Sequence, residues 1–281
     1  MIDHLFFQSA KADFSLLKGD SLTLIPTIEK SIDMVFADPP YFLSNDGLTV
    51  KNGKVQSVNK GQWDKLISDE DAYTFTYEWL SLVREKMADN ATIWVSGTHH
   101  NIFTLGRILP ELGFKILNVI TWEKTNPPPN FSCRFFTHST EFIIWARKYP
   151  KIPHYFDYKL MKRLNNDKQM KDVWRLPAVA NWEKSCGKHP TQKPLALLAQ
   201  IILASTKKDA IILDPFAGSA TTGIAANILE RHFIGMDQEA QYLTLAQARY
   251  TDLQNEGRKQ FFKQHFYRLL NKTPPPDHPT S

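Results

Sequence analysis

The sequence predicts an α/β protein with a mostly parallel β-sheet that carries helices on both faces. Along most of the 281 residues, short apolar strand-like segments alternate with segments of helical periodicity, which is the pattern of such sheets. Two apolar segments, residues 32–37 and 210–213, are each followed by an Asp-Pro sequence. Ligands of open α/β sheets bind beyond the carboxyl ends of the strands. These two strand ends are therefore the first candidates for a functional site.

The first half of the chain supplies the early elements. Residues 14–20 predict a short strand with a turn, residues 21–29 a short helix, and residues 32–37 a strand. Residues 41–63, which are rich in Ser, Asn, Gly and Lys, predict a long mobile loop. Apolar residues at helical spacing, with acids in the first turn, predict a helix over residues 69–87. We then expect strands at 91–96, 114–122 and 140–146, and a helix at 101–112 that Pro110 interrupts.

The second half continues the alternation. A proline near the first turn supports a helix at 194–206, and we expect strands at 210–213 and 232–236 with helices at 221–229 and 239–253. Residues 272–281 contain four prolines, cannot continue a helix, and predict a flexible tail. The chain is thus expected to form one domain over residues 1–271.

Bulk composition excludes several classes of protein. Hydrophobic residues at 42% and charged residues at 22% are ordinary for a soluble, packed protein. No uncharged apolar stretch approaches the roughly 18 to 20 residues that span a bilayer, and the N-terminus lacks the pattern of a signal peptide. The two cysteines, Cys133 and Cys186, indicate free thiols in a reducing cytoplasm. A metal site made by them with His138 and His189 is a weak alternative, because their spacing is not that of metal ligands.

Positive charge is concentrated in one segment. The net charge is +5, but between Arg147 and Lys193 twelve Lys and Arg residues stand against four acids, a local excess of eight. Aromatic residues are interleaved with these cations: Tyr149, Tyr155, Phe156, Tyr158, Trp174 and Trp182. A basic segment that carries aromatics suits phosphate contacts combined with stacking on bases. The alternative is a solvated surface with ordinary core aromatics.

The later Asp-Pro sequence has the features of a cofactor site. After the strand at 210–213 the chain turns through Asp214, Pro215 and then Phe216-Ala217-Gly218-Ser219. The small residues of this turn let backbone amides approach a ligand. Asp237 ends the next strand about twenty residues on, where an acid can accept hydrogen bonds from both ribose hydroxyls. An adenosine-containing cofactor is therefore expected, although the full G-x-G-x-x-G pattern of a dinucleotide site is absent.

The earlier sequence, Asp38-Pro39-Pro40-Tyr41, suits chemistry on an aromatic amine. Such an amine is a poor nucleophile, because its lone pair is delocalised into the ring. The Asp38 carboxylate and the Pro39 carbonyl can each accept a hydrogen bond from one N–H group of the amine. This favours a pyramidal nitrogen whose lone pair points at an electrophile. Pro40 stiffens the turn, and Tyr41 can stack on the base. The alternative is a proline-rich strand end with an incidental acid.

Together these motifs resemble the β-class DNA amino-methyltransferases, in which a D-P-P-Y catalytic motif precedes an F-x-G cofactor motif. The matches run in order through roughly residues 14–250, at residues 38–41, 94–97, 188–194, 214–223 and 235–237. Residues 42–45, 121–127 and 136–141 narrow the resemblance. These segments resemble those of the adenine methyltransferases that accompany GATC-cutting restriction systems, including the kind that also accept single-stranded DNA.

The resemblance implies a Rossmann-like, seven-stranded methyltransferase sheet with circularly permuted motif order, DNA as partner and S-adenosylmethionine as cofactor. We expect a single catalytic domain without a metal; the cysteines and the hydropathy pattern favour the cytoplasm and no membrane attachment. Members of the family that the chain resembles are often homodimers. The implied catalytic residues are Asp38, Pro39, Pro40 and Tyr41. The implied cofactor residues are Asp20 near the adenine, Thr191, Gln192 and Lys193 near the methionine portion, Asp237 on the ribose, and Asp38, Asp214, Phe216, Ala217, Gly218 and Ser219 along the pocket.

One difference from the family's cofactor motif and several alternative functions stay open. Ala220 stands where the family usually has glycine, which is tolerable unless that backbone needs a positive φ. The closest rival is an N4-cytosine methyltransferase, although members of that type more often have serine in place of Asp38. Methylation of an RNA base or of a protein glutamine, and a non-catalytic DNA-binding module with the same fold, are more distant rivals. Candidate readers of the DNA sequence are residues 44–64 and 149–187, including Asn165, Asn166, Lys168, Gln169 and Arg175.

Overall fold

The computed structural model describes residues 4–41, 48–51, 54–57, 68–127, 129–130 and 134–270. Within these residues nine strands form one sheet, and two more, β4 (Leu48–Lys51) and β5 (Lys54–Ser57), form a separate antiparallel ribbon. The strands of the sheet are β1 (Leu5–Gln8), β2 (Phe14–Lys18), β3 (Ile32–Ala37), β6 (Met87–Gly97), β7 (Lys115–Lys124), β8 (Thr140–Arg147), β9 (Val173–Leu176), β10 (Ile211–Asp214) and β11 (His232–Asp237).

The strand order across the sheet is β1-β2-β11-β10-β3-β6-β8-β7-β9. The five strands from β2 to β6 run parallel, and β8 is antiparallel to both of its neighbours, β6 and β7. The seven strands from β2 to β7 in this order match the predicted seven-stranded sheet. Short strands extend both edges, β1 antiparallel to β2 and β9 parallel to β7. The predicted α/β class is confirmed, with two strands more than expected.

Helices cover both faces of the sheet. They are α1 (Ser21–Leu24), α2 (Asp69–Lys86), α3 (Ile102–Glu111), α4 (Tyr158–Arg163), α5 (Leu195–Ser205), α6 (Thr221–Ile228), α7 (Ala240–Asp252) and α8 (Glu256–Leu269). Met34 and Phe36 of β3 pack into the hydrophobic cluster with α5, α6 and α8, whereas Val35 and Ala37 pack into the cluster with α1, α2 and α3. Because strand side chains alternate in direction, β3, which is apolar apart from the exposed Asp33 near its start, is buried on both faces. None of the helices in the described ranges is long and apolar enough to cross a bilayer.

Several boundaries differ from those predicted from sequence. The helix expected over residues 21–29 is α-helical only to Leu24 and continues as a 3-10 turn, Ile25–Thr27, because Pro26 has no N–H to donate. Pro110 does not interrupt α3, since it lies in the last turn of that helix. The predicted loop at 41–63 contains the ribbon β4–β5, and its other residues after Tyr41 lie outside the described residues. The predicted tail at 272–281 lies outside them as well.

Candidate active site

A cleft at the carboxyl edge of the sheet brings the two Asp-Pro motifs together. Asp38 follows β3, Asp214 ends β10 and Asp237 ends β11, and these three strands are neighbours. Most of the predicted site residues line this cleft: Asp38, Pro40, Thr191, Gln192, Lys193, Asp214, Phe216, Ala217, Gly218, Ser219 and Asp237. Pro39 is buried, and Asp20 and Tyr41 contact residues that line the cleft.

Asp38 is held by two donors. Its Oδ1 accepts a hydrogen bond from the Tyr41 hydroxyl at 2.5 Å, and its Oδ2 accepts one from Lys193 Nζ, also at 2.5 Å. The Tyr41 hydroxyl is 3.1 Å from Ser96 Oγ at the end of β6. Because both oxygens of the carboxylate are fixed, Asp38 faces the cleft in one defined orientation.

Two further charges complete this cluster. Glu141, at the start of β8, lies with Oε2 3.6 Å from Lys193 Nζ, and its Oε1 accepts from Lys124 Nζ at 2.5 Å. Burial alone would lower the pKa of Lys193, but Asp38, Tyr41 and Glu141 raise it well above its usual value. Burial and the Asp38 carboxylate raise the pKa of Tyr41 well above its usual value. Lys193 is therefore a fixed cation and Tyr41 a neutral phenol at neutral pH.

The turn after β10 is braced by a buried carboxyl group. Asp214 is 2% exposed, accepts from the backbone N–H of Phe216 at 3.1 Å and accepts from Thr222 Oγ1 at 2.6 Å. Burial raises its pKa to about 7 despite these bonds. Asp214 therefore shapes the turn and also lines the cleft, and its predicted contact with the cofactor stays a prediction.

Gly218 and Asp237 form the part of the cleft best suited to a ribose. The Gly218 N–H donates to Asp237 Oδ2 at 3.0 Å, and the Glu239 N–H donates to Oδ1 at 2.8 Å. Burial raises the pKa of Asp237 to about 6. A Cβ at position 218 would lie 2.9 Å from His189 Nε2, and φ there is +50°. Only glycine leaves this wall open to a ligand.

The segment before α5 forms the opposite wall. Gln192 donates from Nε2 to the Glu183 carbonyl at 3.2 Å, while its Oε1 is buried and finds no hydrogen-bond partner among the described residues. An unsatisfied acceptor in a cofactor cleft fits an ammonium group such as that of a methionine moiety. Near it, burial lowers the pKa of His189 to about 4, so that the imidazole is neutral.

Asp20 lies at the rim, where its carboxylate already has partners. Oδ1 caps α1 by accepting from the Leu22 N–H at 2.8 Å, and Oδ2 accepts from Gln238 Nε2 at 2.7 Å. Its neighbours Gly19 and Ser21, and Gln238 itself, line the cleft. The predicted contact of Asp20 with the adenine stays a prediction.

Sequence reasoning did not assign roles to several residues of the site. Glu141, Ser96 and His189 stand in segments that resemble the family, and from sequence His189 is otherwise only a candidate metal ligand. Phe75 and Tyr242 also line the cleft, and from sequence they are only members of the predicted helices 69–87 and 239–253. In the ranges that the structure describes, no three His, Cys, Asp or Glu residues are grouped as metal ligands; Cys133 lies outside those ranges.

The aromatics of the basic segment divide between core and surface. Trp174 is buried, and Trp182 packs against Phe261 and Phe262 of α8, as the alternative of ordinary core aromatics predicts. Phe156 and Tyr158 are exposed and stay candidates for stacking on bases. Of the candidate residues for reading the DNA sequence, Asn165 donates from Nδ2 to the backbone carbonyls of Lys168 and Gln169. Arg175 pairs with Glu123 at 3.1 Å, with most of its side chain exposed.

The sheet is mostly parallel, and its glycine turn faces an acid on the next strand. The aspartate-proline turn opens onto the same cleft. Together these features define an S-adenosylmethionine-dependent methyltransferase. Residues 32–248 match the family described as DNA methylase, and the chain belongs to that family.

Similar proteins agree with this assignment. The chain is 59% identical over 264 residues to the Type II methyltransferase M2.MboI of Moraxella bovis, which covers 92% of this chain and 97% of the relative. It is 56% identical over 236 residues to the Type II methyltransferase M2.DpnII of Streptococcus pneumoniae, at 83% and 88% coverage.

Solved structures show the same architecture. The M1.HpyAVI–SAM complex superposes with a TM-score of 0.65 at 28% identity, covering 84% of this chain and 98% of that one. The cytosine-N4-specific PvuII DNA methyltransferase shares the fold, with a TM-score of 0.69 at 20% identity and coverage of 95% and 94%. The predictions of a site-specific DNA methyltransferase that uses S-adenosylmethionine are confirmed.

Proposed function

We propose that this enzyme methylates N6 of adenine in DNA, within GATC, as the modification component of a restriction–modification system, on single- as well as double-stranded DNA. The observation that carries the proposal is the position of Asp38, which follows β3 and lines the cleft whose other wall is the Gly218 turn. GATC and single-strand use rest on the resemblance of residues 42–45, 121–127 and 136–141 to the adenine methyltransferases of GATC systems.

Bound S-adenosylmethionine supplies a methyl group on a cationic sulfonium, which is electrophilic enough to need no covalent enzyme intermediate. Asp237, Gly218 and Gln192 would hold that cofactor by its ribose and methionine ends. The Asp38 carboxylate and the Pro39 carbonyl each accept a hydrogen bond from one N–H group of the target amine, which directs the nitrogen lone pair into the cleft. Much of the acceleration then comes from alignment and from exclusion of water by the buried walls.

The target base must leave its duplex stack to reach Asp38, at a cost of a few kcal/mol. A single strand avoids part of that cost, which supports the proposed use of both substrates. Tyr41 follows the two prolines directly and is positioned by its bond to Asp38, so its ring is available to stack on the extruded base. Asp38 rather than serine at this position supports adenine over cytosine as the target.

Methyl transfer from labelled S-adenosylmethionine to GATC oligonucleotides, single- and double-stranded, tests the proposal. Digestion to nucleosides distinguishes N6-methyladenine from N4-methylcytosine, and a scrambled oligonucleotide tests the site. Asp38→Ala should abolish transfer while cofactor binding survives. The matched control is Asp89→Ala, because Asp89 is 72% exposed and pairs only loosely, at 3.6 Å, with Lys148. Transfer to cytosine, or to DNA without GATC, would contradict the corresponding part of the proposal.

We also propose that residues 1–271 act as one catalytic domain and that the enzyme is a homodimer, as its family resemblance suggests. Light scattering during size-exclusion chromatography measures the mass directly against the 32.3 kDa of one chain. A mass of one chain at micromolar concentration would contradict the dimer.

A further inference from the structure

The carboxylate that should receive the target amine already holds a cation. Lys193 Nζ lies 2.5 Å from Asp38 Oδ2 and 3.3 Å from the Tyr41 hydroxyl, and only 9% of its side chain is exposed. A carboxylate oxygen that is paired with an ammonium group is a weaker acceptor for a neutral amine. The target amine therefore competes with Lys193 for Asp38.

Glu141 provides a second place for that cation. Its Oε2 is buried and makes no hydrogen bond in the described part of the chain, yet it lies only 3.6 Å from Lys193 Nζ. A buried carboxylate oxygen without a donor is unfavourable, and here the Lys193 ammonium at 3.6 Å is about 0.8 Å beyond the distance of a charge-assisted hydrogen bond. The other oxygen of Glu141 is fixed by Lys124 at 2.5 Å, which holds Oε2 in place.

We propose that Glu141 is a positioning residue that receives Lys193 from Asp38 when the target amine binds, which frees Asp38 Oδ2 to accept the amine N–H. This inference rests on the proposed function only in that the target is an aromatic amine presented to Asp38. The movement is short, because Nζ is 3.6 Å from Glu141 Oε2 and a shift of about 0.8 Å would bring the two atoms to charge-assisted hydrogen-bond distance.

Charge balance explains why the exchange is feasible. Two carboxylates, Asp38 and Glu141, face two ammonium groups, Lys193 and Lys124, so the cluster is neutral before and after the movement. Lys193 stays cationic throughout, because the carboxylates around it raise its pKa well above the usual value. Without Glu141, release from Asp38 would leave a buried cation unpaired, which is strongly unfavourable.

The exchange also follows from the fold. Lys124 ends β7 and Glu141 is the second residue of β8, and in the register of these antiparallel strands Glu141 lies opposite Trp122. Lys193 comes from the segment before α5 and reaches Asp38, which follows β3, and Glu141 of β8. Two neighbouring sheet strands thus hold the acceptor while a separate segment carries the cation.

Glu141→Gln tests the inference, because it keeps the shape of the side chain and removes its charge. We expect kcat for methyl transfer to fall by about 10- to 100-fold, less than for loss of Asp38 itself, while the Kd for S-adenosylmethionine changes less than about twofold. Glu141→Asp, which restores the charge, should recover part of kcat. Glu111→Gln is the control, since Glu111 pairs with Arg107 on the surface of α3. A kcat of Glu141→Gln within twofold of wild type would overturn the inference.

A second measurement needs no variant. In a crystal structure of the wild-type enzyme with target DNA and S-adenosylhomocysteine, Lys193 Nζ should lie within about 3 Å of Glu141 Oε2 and beyond hydrogen-bond distance of Asp38 Oδ2. A Lys193 that still pairs with Asp38 beside a bound target base would overturn the inference. The methylated base of the wild type separately decides the proposed function. Transfer to cytosine N4 would contradict adenine as target and leave the Glu141 comparison intact.

Discussion

The guanidinium of Arg249 donates from Nη1 to the backbone carbonyl of Ser219 at 2.6 Å, which ties α7 to the turn that shapes the cofactor cleft. The same nitrogen donates to Ser219 Oγ and to Thr221 Oγ1, each at 3.0 Å. Burial lowers the pKa of Arg249 to about 10, so it stays a cation at neutral pH. The glycine turn is therefore held from behind by a buried charge that never needs to touch the cofactor.

Replacement of this cation by a smaller one should loosen the turn. Arg249→Lys keeps the charge but cannot reach all three acceptors, so we expect the free energy of unfolding to fall by about 1–3 kcal/mol and the Kd for S-adenosylmethionine to rise several-fold. Urea unfolding and calorimetric titration measure the two effects. Arg107→Lys, in an exposed pair, should change stability by less than about 0.5 kcal/mol. Equal effects of the two variants would contradict the assigned role of Arg249.

Gly218 should not tolerate a side chain. Gly218→Ala places a Cβ 2.9 Å from His189 Nε2 at a φ of +50°, so we expect a loss of about 1–2 kcal/mol in the free energy of unfolding and weaker cofactor binding. The control is Gly106→Ala, because a Cβ there meets nothing within 4 Å on helix α3. That change should instead stabilise the protein by about 0.5–1 kcal/mol. Undiminished cofactor affinity in Gly218→Ala would argue against the proposed wall.

Ala220 carries the strain that its departure from the family pattern suggested. Its backbone is left-handed, with φ of 53° and ψ of 42°, a conformation that costs a residue with a Cβ roughly 1–2 kcal/mol. Ala220→Gly removes this strain, whereas Ala225→Gly, at an equally buried alanine inside α6, lowers helix propensity by about 1 kcal/mol. Both lose one buried methyl group. Chemical denaturation should therefore find Ala220→Gly the more stable variant by at least about 1 kcal/mol, and the reverse order would refute the strain.

Asp214 should make the ligand-free enzyme less stable as pH rises. Its folded-state pKa of about 7 lies above the ordinary 3.8, so the folded chain binds this proton more tightly than the unfolded chain, and stability falls between about pH 4 and pH 7. Asp214→Asn keeps an acceptor for the Phe216 N–H and removes the titration. We compare the free energy of unfolding of the variant minus that of wild type at the two pH values. This difference should be more positive at pH 8 than at pH 5 by at least roughly 1 kcal/mol.

Unfolding curves at the two pH values, without cofactor, measure this difference. Asp89→Asn, at an exposed position, is the control and should show no such pH-dependent difference. A relative stability of Asp214→Asn that does not change with pH would show that the buried carboxyl group titrates normally.

Local signals in the sequence predicted the central strands and the position of both motifs. The bounds of β3 agree with prediction, because a run of apolar residues between a polar turn and Asp-Pro has few alternatives. Helix α8 was missed, since its buried residues, Phe262, Phe266 and Tyr267, are diluted by charged neighbours. β9 was missed because it is four residues long and buries only Trp174 and Leu176. The pairing of Lys193 with Asp38, 155 residues apart, leaves no local signal and required the fold.

The place of β10 and β11 in the sheet has a consequence for how the chain acquires its structure. These two strands lie between β2 and β3, so strands made early in synthesis stay separated by an open gap until residue 237 has emerged. Contacts between segments so distant in sequence form slowly. The edge of β3 lacks its partner β10 until residue 214 has emerged, and the edge of β2 lacks β11 until residue 237 has. Exposed strand edges of this kind invite aggregation. Completion of the sheet and creation of the cleft are the same late event, so an interrupted chain has neither.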